Sequence, residues 1–210
     1  MIGKRWFSSD DYEVVERKTL FQGFFRMVEY RLRHRLFSGG WSAVYSRELF
    51  VRGSAVGVLL YDPQRDLVGV LEQFRVGALD DPGGPWLLEV VAGVVEEGET
   101  LEEVARRELV EEAGIRDARL QLIADYLVSP GGTDERMTLY CAQADLQGKG
   151  GIHGLADENE DIRLHIITRD EAMAGLAAGS CNNAPLIIAL QWLALHHGGL
   201  AGGTKVAGEG

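Results

Sequence analysis

The run Gly93-Val-Val-Glu-Glu-Gly-Glu99-Thr-Leu-Glu-Glu-Val-Ala-Arg-Arg107-Glu108-Leu-Val-Glu111-Glu112-Ala-Gly114-Ile115 carries more structural information than any other part of this 210-residue chain. Thr100, with Glu103 three residues later, is a capping-box pattern in which hydroxyl and carboxylate answer orphan backbone N–H groups and open a helix. Gly114 can take the left-handed conformation that closes it, with Ile115 behind as an apolar contact. At about 3.6 residues per turn, Leu101, Val104, Ala105, Glu108 and Glu112 form one stripe. The apolar face that seats the helix therefore turns into carboxylates in its C-terminal half, with Glu111 beside it.

Runs of glutamate usually face water, but these continue a seated face. Carboxylates one turn apart on such a face repel one another and lose hydration, and the ordinary remedies are protonation or a multivalent cation. Residues 96–112 hold eight Glu against Arg106 and Arg107, a local charge of −6. With oxygen donors and no neighbouring His or Cys, the segment suits a hard ion, Mg²⁺ first and Mn²⁺ second.

Outside this segment, apolar strand patterns fit Ala55 to Tyr61 and Leu67 to Phe74 around an Asp62-Pro63 turn, then Trp86 to Val95 leading into the acidic helix. Further strands fit Leu120 to Val128, Met137 to Ala144 and Ile162 to Thr168. Thr168 and Glu171 repeat the capping-box spacing for a helix ending near Gly179, and a last helix follows Pro185 with Leu186, Leu190, Leu193 and His197 at helical intervals. Strands with helices on both faces make an α+β layered sandwich with a mixed sheet. Upstream, from Leu20 to about Gly53, alternation on both sides of Ser38-Gly39-Gly40 predicts a small antiparallel sheet, too short to be stable without a covering surface. The expected organisation is a sheet unit over 1–53, a main domain over 54–198 and a Gly-rich tail over 199–210, expected to fray.

The formal charge of −11 works against nucleic-acid backbones and anionic membranes, which need a positive surface. No apolar run reaches membrane-spanning length. The start of the chain has basic residues but no apolar region after them, so the cytoplasm is the expected compartment. Cys141 and Cys181 stand far apart, outside any ligand spacing, as unremarkable thiols.

The spacing of Gly93, Glu99, Arg107, Glu108, Leu109, Glu111, Glu112, Gly114 and Ile115 resembles the Nudix box at each of its fixed positions. The resemblance implies a Nudix-type α/β/α sandwich that hydrolyses nucleoside diphosphates linked to another moiety, using divalent metal held by the box helix. It further implies Glu108 and Glu112 as metal ligands, Arg107 orienting those carboxylates, and Glu99 and Glu111 supporting metal or water.

Two other features narrow the substrate. Pro130, in Ser129-Pro130-Gly131-Gly132, lies at a distance from the box that resembles the ADP-ribose pyrophosphatase subgroup. The acidic stretch His153-Gly-Leu-Ala-Asp-Glu158-Asn-Glu160-Asp161 is similar to the mobile loop that delivers the catalytic base in bacterial members. On that likeness Glu158 is the base and Glu160 a metal or water partner, with exchange of the two roles open. A base on a separate loop is also chemically sensible, since the box carboxylates are committed to metal and a loop can close over substrate.

Guanidinium groups match a diphosphate bidentately, and Arg47 and Arg75 correspond to substrate-contacting arginines of the subgroup. Ala92 would offer its carbonyl to metal, Glu89 would reach a ribose, and Phe24 would give adenine a flat apolar partner. If Phe24 serves the site, the N-terminal sheet crosses to a partner subunit, as in similar enzymes, and the protein is a homodimer. The implied reaction is Mg²⁺-dependent hydrolysis of ADP-ribose to AMP and ribose 5-phosphate. Alternatives are the same hydrolysis on another nucleotide sugar such as GDP-mannose, or a Nudix-fold sensor that binds without turnover.

Overall fold

The computed structural model describes Gly3 and residues 5–200, and the side chain of Glu158 lies outside the described residues. The chain divides into two compact units, Met1–Gly53 with Leu127–Glu135, and Ser54–Tyr126 with Arg136–Gly210.

The first unit is an antiparallel sheet of β1 (Tyr12–Gln22), β2 (Arg26–His34) and β3 (Tyr45–Val51) in that order. Strand β1 starts at Tyr12, well before the Leu20 expected from alternation. Apolar and charged residues mix on both of its faces, so no clean apolar period marks its first half, and cross-strand ion pairs accompany its register. Arg33 Nε donates to Glu13 at 2.8 Å and Arg31 Nη1 to Glu16 at 3.1 Å. The Pro130 loop joins this unit: the Phe50 N–H donates to the Gly132 carbonyl at 2.8 Å, and the Arg52 N–H to Asp134 Oδ1 at 2.7 Å. Tyr12, Phe21, Phe24 and Phe37 are all exposed.

The second unit is built on an eight-stranded mixed sheet. Its strands are β4 (Ser54–Asp62), β5 (Leu67–Phe74), β6 (Trp86–Glu89), β7 (Val91–Val94), β8 (Arg119–Leu127), β9 (Arg136–Gln143), β10 (Gly151–His153) and β11 (Ile162–Thr168). Strands β10-β11-β5-β4-β9-β8 run side by side, β6 pairs β5, and β7 pairs β4. The β4/β9 pair is parallel, and β4, β5, β6, β7, β10 and β11 otherwise pair antiparallel. The stretch from Trp86 to Val95, expected as one strand, changes partner at Val90. Its first half extends β5 and its second half extends β4.

Alternation along the central strands sorts side chains into two cores. Val56, Val58 and Leu60 of β4 and Tyr140 and Ala142 of β9 pack against Val104, Ala105, Leu109 and Ala113 of α1 (Leu101–Ala113). Leu59 and Tyr61 of β4 and Leu139 and Cys141 of β9 face α2 (Arg169–Ala178) and α3 (Ala184–Leu200) through Ala172, Leu186, Leu190 and Leu193. Helix, sheet, helix is the layered sandwich the sequence predicts. Both cysteines are buried, and burial pushes the Cys141 thiol up to about 12, which keeps it unreactive. Helix α3 continues through Gly198 and Gly199 to Leu200, which is itself buried. The remainder of the expected tail, 201–210, lies outside the described residues. No helix among the described residues is long and apolar enough to cross a membrane.

Candidate active site

Helix α1 is closed at both ends as its sequence dictates. The Thr100 N–H donates to Glu103 at 2.8 Å while the Thr100 hydroxyl accepts from the Glu103 N–H at 3.3 Å. Gly114 takes φ 64°, and the Ile115 N–H reaches back to the Leu109 carbonyl at 2.9 Å, burying Ile115 behind the last turn. These stops fix which face is inward. Glu108 is 9% and Glu112 2% exposed, so the acidic half of the stripe is seated against the sheet with the apolar half.

Strand β7 makes room for them. A Cβ on Gly93 would fall 1.7 Å from Glu108 Oε1 and 2.6 Å from its Cγ, so only glycine lets this carboxylate lie across the strand. One residue earlier, the Ala92 N–H donates to Glu112 Oε2 at 2.9 Å.

Arg107 gathers the remaining acidic groups. Its Nε donates to Glu99 Oε1 at 3.0 Å, and its Nη1 to Glu108 Oε1 at 2.7 Å and to Glu111 Oε2 at 3.3 Å. The Glu99 hydrogen bonds hold the guanidinium firmly protonated. One cation does not offset this much negative charge. Burial pushes Glu108 up to about 7, against the relief given by Arg107. Burial likewise pushes Glu112 up to about 8, with the Ala92 N–H opposing and the charges of Glu108 and Glu160 adding.

Glu89 and Arg75 meet on the adjoining strands. Glu89 Oε2 accepts from Arg75 Nε and lies 2.8 Å from both Arg75 Nε and Nη2. The same oxygen accepts from Gln73 Nε2 at 3.0 Å. The positive charge of Arg75 also opposes the rise of Glu112. Gln73 has no signal in the sequence that sets it apart from its polar neighbour Glu72; its burial is a product of the fold.

The acidic loop is docked on the end of α1. The Gly154 N–H donates to the Glu111 carbonyl at 3.3 Å, and a Cβ on Gly114 would lie 3.3 Å from His153 Cε1. Strand β10, which carries His153, was not expected, because three residues in a Gly-rich stretch show no period. Within the loop, Glu160 Oε2 accepts from the Leu155 N–H at 3.3 Å. The backbone of Glu158 closes a short 3-10 turn over Ala156–Glu158, while its side chain lies outside the described residues. The structure thus brings Glu99, Arg107, Glu108, Glu111, Glu112, Ala92, Gly93, Arg75, Glu89 and Glu160 onto one face of the second unit.

Phe24 and Arg47 belong to the first unit. Phe24 is 95% exposed and sets its ring edge-on to Phe25 at 4.8 Å. Arg47 stacks over Tyr45 at 4.5 Å and donates to the Ser46 carbonyl at 2.9 Å.

Among the described residues no three His, Cys, Asp or Glu side chains stand together as a ready ligand set. One oxygen of each acid is engaged within the protein, Glu108 Oε1 by Arg107 Nη1 and Glu112 Oε2 by the Ala92 N–H. The residues nevertheless fit a hard divalent cation, because burial holds two neighbouring carboxylates far above their ordinary 4.5, to about 7 and about 8, and the charges of Glu111 and Glu160 add to it. Glu108 and Glu112 would hold it, with the Ala92 carbonyl beside them.

Comparison with known proteins follows the same segment. The NUDIX domain family matches residues 51–187. The chain is 50% identical over 191 residues to the ADP-ribose pyrophosphatase of Escherichia coli (strain K12), covering 91% of each chain. It is 29% identical over 187 residues to the GDP-mannose pyrophosphatase of Cronobacter sakazakii (strain ATCC BAA-894), covering 87% of this chain and 95% of that one. A crystal structure of an ADP compounds hydrolase superposes with a TM-score of 0.64 at 21% identity, over 90% of this chain and 98% of the other, which bears on the fold alone.

Proposed function

We propose, since this chain belongs to the Nudix family of hydrolases, that it splits the diphosphate of ADP-ribose into AMP and ribose 5-phosphate with Mg²⁺ as its metal. It is a pyrophosphohydrolase of nucleoside diphosphate derivatives; the substrate, products and metal are the proposal. The observation that carries it is the burial of Glu108 against Gly93 and of Glu112 against the Ala92 N–H, two neighbouring acids that share the single cation Arg107 with Glu99 and Glu111. The higher identity to the ADP-ribose pyrophosphatase than to the GDP-mannose pyrophosphatase favours adenine and ribose over guanine and mannose.

When bound, the divalent cation supplies charge against the diphosphate and acidifies the attacking water. The protein's own groups do the rest. Glu108 and Glu112 form the anionic seat, Arg107, itself held by Glu99 and Glu111, orients Glu108 directly, and Arg75 and Arg47 neutralise phosphate oxygens. Glu158 takes the proton of the attacking water, with Glu160 and Glu111 holding that water in place. Glu89 serves the ribose side and Phe24 the adenine face. Loop closure over substrate excludes bulk water, and no covalent intermediate on the protein is needed.

This reading also makes the protein a cytoplasmic homodimer, supported by the exposed Tyr12, Phe21, Phe24 and Phe37 of a sheet that has little buried apolar surface of its own. Light scattering after size exclusion should give twice the mass of one chain. A monomer at micromolar concentration would remove the dimer.

The deciding experiment incubates the protein with ADP-ribose and, separately, with GDP-mannose, in Mg²⁺ and in EDTA, and follows products by ³¹P NMR. AMP and ribose 5-phosphate from ADP-ribose in Mg²⁺ alone is the expected result. Preference for GDP-mannose would transfer the proposal to that substrate, and activity undiminished in EDTA would overturn the metal.

A further inference from the structure

Gln73 lies near the end of β5 and is only 6% exposed, a buried amide two residues beyond the core residue Leu71. A buried amide must find partners, and Gln73 finds one by donating Nε2 to Glu89 Oε2 at 3.0 Å. The pleat explains why they meet. Leu71 stands opposite Glu89 and Gln73 opposite Leu87, so Gln73 and Glu89 are diagonal neighbours on one face of the β5/β6 pair. Arg75, two residues on, projects to that face as well, and its Nε and Nη2 both lie 2.8 Å from the same Glu89 oxygen.

One oxygen therefore accepts from both residues, with Arg75 Nη2 in ion-pair contact beside the two bonds. The arrangement matters because Arg75 is 44% exposed, and a half-exposed arginine otherwise samples many rotamers. Glu89 alone is a weak anchor, since its own side chain can swing. A neutral buried amide stops that swing without competing for charge. A lysine at position 73 would neutralise Glu89 and free Arg75, and a glutamate would repel it.

We propose that Gln73 is a positioning residue: it fixes Glu89, and through Glu89 it holds the Arg75 guanidinium ready for the diphosphate. This rests on the reading of Arg75 as a diphosphate ligand. It assigns Gln73 to substrate binding rather than to chemistry, because a guanidinium set in place beforehand lowers the entropy lost when substrate docks.

The test uses Gln73→Met, which keeps volume and removes the donor, with Gln73→Asn as a second variant that keeps the amide but shortens its reach. Two readouts are taken on the full chain: KM and kcat for ADP-ribose, and the Arg75 Nε–H resonance in substrate-free protein. The wild-type resonance should be sharp and protected from exchange. In both variants it should broaden or vanish, and KM should rise about tenfold while kcat changes far less, the pattern of lost ground-state binding. Combined with Glu89→Gln, Gln73→Met should add little further loss, because the two act as one unit. An unchanged Arg75 resonance with unchanged KM in the folded variants would overturn the proposal, as would additive losses in the double variant. If the wild-type protein leaves ADP-ribose intact, the functional reading fails instead, and the resonance still decides whether Gln73 holds Arg75.

Discussion

Gly93 and Glu108 are complementary in shape: the carboxylate of Glu108 fills the volume that any side chain at position 93 would need, with Oε1 only 1.7 Å from where a Cβ would stand. The glycine on β7 and the glutamate on α1 thus form one feature. Arg107 Nη1 completes it from the other side at 2.7 Å.

Gly93→Ala should displace the Glu108 side chain rather than the backbone, since the contact is with the far part of a flexible residue. Metal affinity should weaken by about 10- to 100-fold, the range seen when the support of a ligand is disturbed. Circular dichroism should report an unchanged fold and calorimetric Mg²⁺ titration the loss. Wild-type affinity in the alanine variant would show that Glu108 is not a ligand.

Glu112→Gln keeps an oxygen to accept from the Ala92 N–H, 2.9 Å away in the native site, while removing a buried charge. Turnover should fall by orders of magnitude, because metal supplies both nucleophile and charge stabilisation. In EDTA at alkaline pH the variant should melt higher than wild type. Near-normal turnover by a folded variant would remove Glu112 from the metal site.

Glu158→Gln should leave Mg²⁺ affinity close to wild type and slow hydrolysis by about 10²- to 10⁴-fold, the usual cost of losing a general base. Glu160→Gln, measured in parallel, separates the two loop acids. Equal loss of Mg²⁺ binding in Glu158→Gln would make it a ligand, and a larger rate loss in Glu160→Gln would exchange their roles.

Stability of the metal-free protein should depend on pH through the box. Burial raises Glu108 to about 7 and Glu112 to about 8 from an ordinary 4.5. Carboxyls raised on folding favour the folded state while protonated. Their contribution is therefore complete below about pH 4.5 and is lost as pH rises through about 7 to 8. In EDTA the melting temperature should fall across that window, and saturating Mg²⁺ should flatten the decline by neutralising the charge. A flat or rising profile in EDTA would contradict the buried, uncompensated pair.

The acidic helix was legible from the chain alone because every signal that defines it is local. Thr100 and Glu103 lie one turn apart, Gly114 and Ile115 close the last turn against Leu109 and Val110, and the stripe from Leu101 to Glu112 follows from helical pitch. The same locality made the capped helix at Thr168 and most strands of the sandwich readable within a residue or two. Features whose partners are distant in sequence were hidden. The first half of β1 shows no clean apolar period because apolar and charged residues mix on both of its faces, and β10 is too short to show any.

What the residues determined by themselves was a metal-suited row of acids on a helix with fixed ends. What folding decided was the surroundings: the change of partner at Val90, which gives Glu89 to β5 and Ala92 and Gly93 to β4; the amide of Gln73 on Glu89; and the seat of Gly154 on the last turn of α1. Backbone pairing of a strand is indifferent to side-chain identity along most of its length. Which neighbour it takes therefore depends on the packing of the whole sheet, and no short window of sequence contains that choice.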